Sequence, residues 1–232
     1  MIFGLFAFDW TILLVIPGLI ASIWAQIKVS TTYRKYSAVY NKRNVTGHDA
    51  ARAILDCNGL HYVKIEHVRG HLTDHYDPKA NVIRLSDSVY GSNSTAAVGV
   101  AAHEAGHAVQ YARDYAPIKL RMAIIPITRF GSMLAIPLFL IGLILASSSL
   151  LLIGIILYSA VALFQLVTLP VEFNASSRAL SALDESGILS RDELSGARKV
   201  LSAAAMTYVA ALLTSLLTLL RLLILAGGRS RR

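Results

Sequence analysis

Cysteine is nearly absent: Cys57 is alone among 232 residues, which excludes a disulfide framework and a multi-cysteine zinc site. Its place in the helical spacing of Ala50, Ala53 and Ile54 marks it as a small, half-buried residue. Acid is scarce too, with 14 Asp and Glu against 22 Lys and Arg and a net charge of +8. Charged residues make up only 16% of the chain and hydrophobic ones 55%, too apolar for an ordinary soluble domain. The basic residues flank apolar blocks, so anionic lipid headgroups explain the positive charge and nucleic acid does not. Histidine is missing after His107. A metal site there would need a carboxylate downstream, unless an upstream residue joins it. Repeats and low-complexity linkers are also lacking.

What is present is a series of apolar runs. Residues 1–27 contain one long enough to cross a bilayer at ~20 residues per span. No Lys or Arg precedes it, so the cationic start of a cleaved signal is missing and a retained anchor is expected. Lys28, Arg34, Lys35, Lys42 and Arg43 follow directly, which places residues 28–121 on the cytoplasmic side of a plasma membrane. In that region Asp49 to Asp56 has helical spacing, while 60–68, 72–76 and 82–85 have strand character with turn signals between them. An antiparallel β-meander is expected. Residues 122–169 carry one charge, Arg129, over 48 positions and fit a transmembrane hairpin turning near Ala146-Ser147-Ser148-Ser149. Residues 170–200 are read as a helix and turn that carry the candidates for a further metal ligand, 201–226 as a last apolar, membrane helix, and 227–232 as a basic tail. Four spans would leave that tail outside, against the charge rule; the larger basic cluster after the first span is given precedence. The expected fold is an α+β, mostly helical, multi-pass membrane protein with about four spans.

The chemistry is concentrated in His103-Glu104-Ala105-Gly106-His107. Ser92 to Thr95 supply a helix N-cap signal, and the Ala- and Val-rich stretch after them has no proline. On a helix, residues at i and i+4 share a face, so both imidazoles can bind one Zn²⁺. Glu104 lies about 100° round the helix from His103, the relation of a general base to a metal-activated water. A catalytic zinc takes three protein ligands and keeps one position open. The third must return to the side of the membrane that holds the histidines, so an even number of spans must intervene. Glu172 passes this test and stands just after Pro170, read as a helix start. Asp184, Glu185, Asp192 and Glu193 also pass, but they flank a solvated turn.

The His-Glu-Ala-Gly-His motif, the hairpin and Glu172-Phe173-Asn174-Ala175-Ser176-Ser177-Arg178-Ala179-Leu180 together resemble the YugP-type neutral zinc metallopeptidases of bacteria, distant relatives of HtpX-like and CAAX-prenyl membrane proteases. The segments 70–78 and 84–86 resemble that family as well. The resemblance implies one Zn²⁺ per chain on His103, His107 and Glu172, with Glu104 as base. In the HtpX-like relatives an Asp four residues after the glutamate orients a ligand histidine. Ser176 occupies that position here, so Ser176 or Asn174 is the candidate hydrogen-bonding partner.

Hydrolysis of membrane or membrane-proximal polypeptides is the expected function. Val82–Leu85 is a candidate edge strand for substrate, and Arg178 and His75 are candidates to stabilise an oxyanion. His48, His61, His67 and His71 are treated as ordinary polar-region residues. Two rivals stand beside this reading. A site-2-type intramembrane protease would put the motif inside a spanning helix, and a zinc-stabilised scaffold would have no use for Glu104. Partners beyond substrate and bilayer, whether a second copy or a regulatory membrane protein, have no signature.

Overall fold

The computed structural model describes residues 9–228, so the start of the anchor and most of the basic tail lie outside the described residues. Of the described residues, 73% are helical. A 3-10 turn at Trp10–Leu14 leads into α1 (Ile16–Ser37), followed by α2 (Gly47–Cys57), β1 (Lys64–Val68), β2 (His75–Asp77), β3 (Val82–Ser86), α3 (Thr95–Ala112), α4 (Ala116–Ile144), α5 (Ser148–Glu185) and α6 (Arg191–Gly227). Two compact units emerge. One comprises the described residues up to Trp24, Leu120–Thr168 and those from Thr207 onward; the other comprises Ala25–Lys119 and Leu169–Met206.

The first unit is built from apolar helices. Four stretches, Trp10–Ser37, Ala116–Ile144, Ser148–Glu185 and Arg191–Gly227, are long and apolar enough to cross a membrane. Their most apolar windows are only 11% to 28% buried by protein, as expected of side chains meant for lipid. Phe139, Leu151 and Leu222 form a small packed centre. Gly154 lets two backbones meet there: a Cβ on it would lie 2.9 Å from the Ala135 carbonyl oxygen. Arg221, the one charge of the last apolar run, pairs with Asp9 at 2.6 Å and donates to Thr11 Oγ1 at 3.2 Å.

The second unit is an α+β assembly around α3. Thr46 and Asp49 form a reciprocal capping box that starts α2. The buried face of α2, with Ala50, Ala51, Ile54 and Leu55, packs into the same core as Val98, Ala101, Ala102 and Ala105 of α3. Full burial of Leu55 or Ile54 contributes roughly 1.5–3 kcal/mol each. Cys57 closes α2 and is exposed, because the last turn runs past the core that covers Ile54 and Leu55.

The sheet corrects the expected meander. Its order is β1-β3-β2, with β1 and β3 parallel and β2 and β3 antiparallel. Val82–Leu85 is therefore central and has no free edge for a substrate. The physical reason lies in side-chain character. β3 buries Val82, Ile83, Leu85 and Ser86, whereas β1 exposes Lys64, Glu66 and His67. A strand so fully buried stabilises the sheet most from its middle. The Asp74 carboxylate accepts the Ser86 N–H at 2.7 Å and Asp87 accepts the Gly70 N–H at 2.8 Å, fixing the crossover between β1 and β2.

Pro170 is a second correction: it lies inside α5 and starts no helix. A proline forfeits one intrahelical hydrogen bond, and tertiary packing of Val171, Ala175 and Ala179, all fully buried, carries the helix through.

Candidate metal centre

Ser94 caps α3 by accepting the Ala97 N–H at 3.2 Å. The helix that follows is nearly covered by protein, and it presents His103 and His107 one turn apart, ring centroids 4.7 Å from each other. Glu172 reaches them from α5. One carboxylate oxygen, Oε2, lies 3.3 Å from His103 Nε2 and 3.6 Å from His107 Nε2. The three ligand atoms lie within 4.8 Å of one another, and among the described residues no other trio of His, Cys, Asp or Glu is so gathered. The histidine side chains are 16% and 12% exposed and that of Glu172 3%.

Gly106 explains the closeness of the two helices. A Cβ there would stand 2.6 Å from the Ala175 carbonyl oxygen, so only glycine lets α5 approach α3 at this level. In the five-residue motif it occupies a position without any ligand function. Sequence reasoning gave it no role.

The outward-facing nitrogens of both rings are occupied. Ser176 Oγ lies 3.1 Å from His103 Nδ1. His107 Nδ1 lies 3.0 Å from Gln110 Oε1, and the Gln110 amide is oriented by what lies behind it. Arg178 Nε, which can only donate, bonds Asn174 Oδ1 at 2.8 Å. That oxygen and the Val171 carbonyl accept from Gln110 Nε2 at 3.0 and 2.8 Å. The amide oxygen therefore faces His107 and takes its Nδ1 proton, which leaves the Nε2 lone pair directed at the centre of the trio. Two neutral imidazole Nε2 atoms and a carboxylate oxygen, each ring held from behind, suit a divalent cation of the zinc type. Gln110 is fully buried, and its i+3 spacing from His107 on the same helix was the one signal for it in the sequence.

Glu104, next to His103, is 8% exposed. Burial works to lower the pKa of His107, but the Glu172 hydrogen bond and the charges of Glu104 and Glu172 outweigh it and raise the pKa above the ordinary histidine range.

The remaining candidates are distributed differently. Ser176 and Asn174 stand beside the trio, and Arg178 joins them through Asn174. His75 is exposed on β2, its ring bonded to the Thr73 carbonyl at 2.9 Å with Arg84 3.5 Å away. His48, His61 and His67 pair with Asp49, Asp56 and Asp87, and His71 meets the edge of the Tyr33 ring. Among the described residues, the motif helix α3 is not one of the four helices long and apolar enough to span a membrane.

Apolar helices of membrane-spanning length and a small α+β unit, with paired helical histidines met by a downstream glutamate, make a membrane protein with a site that could hold a metal ion. The chain belongs to the family described as "Putative neutral zinc metallopeptidase", whose model matches residues 11–227. It is also similar to "Putative membrane protease YugP" of Bacillus subtilis (strain 168), 51% identical over 219 residues that cover 94% of this chain and 97% of that protein. No solved structure matches it.

Proposed function

We propose that this chain is a zinc metalloendopeptidase of the plasma membrane, hydrolysing peptide bonds in membrane or membrane-proximal polypeptides on the cytoplasmic side. The observation that carries the reading is the meeting of His103 Nε2, His107 Nε2 and Glu172 Oε2 in one buried spot, with Glu104 on the adjoining position of the same helix. His103, His107 and Glu172 would hold one zinc ion per chain. When bound, zinc supplies Lewis acidity toward the scissile carbonyl and the attacking water.

The chain's own groups do the rest. Gln110 and Ser176 hold the two imidazoles in the tautomer and orientation that ligation needs. Glu104 accepts the proton of the attacking water and delivers it to the departing amine. Its low exposure keeps bulk water from competing for that proton. Arg178 is tied to Asn174 and serves in orienting the Gln110 amide. The basic run Lys28, Arg34, Lys35, Lys42 and Arg43 supports the cytoplasmic orientation.

The test is cleavage of casein and of membrane-derived polypeptides by the purified full-length protein, together with metal analysis. Glu104→Gln is expected to keep zinc and lose cleavage; Glu172→Ala is expected to lose zinc. Full cleavage by a zinc-loaded Glu104→Gln protein would overturn the reading.

A further inference from the structure

A cavity of about 320 Å³ lies between α5 and α6 within the second unit. Its walls come from one stripe on each helix: Phe173, Ser176, Ser177, Leu180, Ser181 and Asp184 on α5, and Leu194, Arg198, Leu201, Ser202 and Ala205 on α6. The helices run antiparallel from the turn between Glu185 and Arg191, so residues equally far from that turn stand at the same level. Phe173 is thus level with Ala205, Ser176 with Ser202, Leu180 with Arg198, and Asp184 with Leu194.

One end of this groove reaches the back of the metal centre, at the residue that holds His103 from its Nδ1 side; His103, Glu104, His107 and Glu172 do not themselves line it. Ser176 lines the cavity and also bonds His103 Nδ1 at 3.1 Å, and Phe173 directly follows Glu172. From Phe173 to Asp184 the groove measures about 16 Å at 1.5 Å per helical residue, the length of about five extended residues at ~3.3 Å each. Leucines and Ala205 supply an apolar lining, and four serine hydroxyls can serve the backbone of an extended chain as donors or acceptors. Arg198 is exposed and, among the described residues, has no ion-pair partner. It stands at the level of Leu180, eight residues beyond Glu172, or about 12 Å. Between the metal centre and that level the stripes carry no other charge; Asp184 comes a turn later.

We infer that the α5–α6 groove is a substrate subsite, beginning beside the metal centre at Ser176, that takes an extended polypeptide segment bearing an acidic side chain on Arg198. The inference rests on the peptidase reading for what the segment belongs to, and it adds the chemistry of the segment. Twelve ångströms correspond to three or four extended residues, so the acidic residue lies that far from the bond to be cleaved. Arg198 acts as a specificity-determining residue and takes no part in the chemical step.

The experiment uses the full-length protein in detergent and internally quenched decapeptides that are neutral except for one Asp or one Lys, walked through every position. Both binding, by fluorescence anisotropy on zinc-loaded Glu104→Gln protein, and kcat/KM on wild type are read. The Asp peptide with its charge three or four residues from the cleavage point is expected to exceed its Lys twin by about threefold to tenfold in both readouts, the range of a partly exposed ion pair. Arg198→Gln should erase the preference and Arg198→Glu reverse it. Equal binding of Asp and Lys peptides at every position, or a preference that survives Arg198→Glu, overturns the subsite while leaving the peptidase intact. Charge-selective binding without cleavage by wild type would retain the subsite and overturn the peptidase.

Discussion

Gly106→Ala is the sharpest perturbation of the metal centre, since it adds a single methyl group and touches no ligand. That methyl would sit 2.6 Å from the Ala175 carbonyl oxygen and 3.3 to 3.4 Å from the Ala175 carbonyl carbon and Cα. Real Cβ contacts do not fall below 3.0 Å, and the obstacle is the backbone of a fully buried residue, with no flexible side chain to swing aside. α3 and α5 must therefore part by roughly half an ångström or more. Overpacking of this kind costs about 1–3 kcal/mol. The displacement falls between His107 on one helix and Asn174 and Ser176 on the other, so the Glu172 carboxylate retreats from both Nε2 atoms. Metal sites tolerate about 0.5 Å of misplacement, and disturbing groups around the ligands lowers metal affinity about 10–100-fold. Purified variant and wild type would be compared by thermal unfolding and by competition for zinc with a calibrated chelator. Gly99→Ala is the control, because its added methyl would meet the Ala197 Cβ at 3.3 Å, a contact with a methyl group and not with a carbonyl oxygen. Zinc affinity within twofold of wild type for Gly106→Ala, or an equal loss for both variants, would refute the argument from helix approach.

Replacing Gln110 by Leu removes the acceptor of the His107 Nδ1 proton and both bonds to α5 while roughly keeping volume; zinc affinity is expected to fall about 10–100-fold, read with the same chelator. Thr46→Ala breaks the capping box of α2 and is expected to cost about 1 kcal/mol in unfolding of the second unit. Asp49 is held below its ordinary pKa, chiefly by the Thr46 hydroxyl with help from His48, against the opposing effect of burial. A depressed folded pKa gives stability that is present above the unfolded value near pH 4 and lost as pH falls through the folded value. The stability gap between wild type and Asp49→Asn should accordingly be full at pH 7 and close below about pH 4 in parallel unfolding scans. In the apolar unit, a double-mutant cycle with Asp9→Asn and Arg221→Leu should show favourable coupling of about 1 kcal/mol, and steric-trap unfolding in bicelles would measure it.

What could be foreseen from the residues divides by range. His103 and His107 are four apart on one helix, so helix geometry alone brings their rings together whatever the rest of the chain does. The apolar runs were as plain, because a bilayer imposes a length and a composition that a simple count detects. Glu172 lies 65 positions from His107, and no local rule reaches that far; counting the intervening spans made it a candidate among several. The strand order was missed for a related reason. Sequential strands suggest a meander, and the decisive feature was the difference in burial between Val82-Ile83-Arg84-Leu85-Ser86 and the charged residues of β1. That contrast stands in the sequence, but it becomes an argument only when the three strands must share one sheet against a helix.

Pro170 shows the limit of reading residues by their preferences. Its usual place is a helix start, yet α5 continues through it and Glu172 follows two residues later in the same helix. An interior proline costs about 3 kcal/mol in an isolated helix. Here the residues after it bury Val171, Ala175 and Ala179 completely and bring Asn174 and Ser176 to α3. One uninterrupted helix fixes the rotational phase of these five side chains relative to one another at 100° per residue. A break at Pro170 would leave that phase intact beyond it, so the proline is tolerable at this position and would not be at residue 174, between the ligand and the residue that holds His103. The same logic places the sensitivity of the site in the short interval from Glu172 to Ser176, where a change of helical phase would separate the carboxylate from the imidazoles it meets.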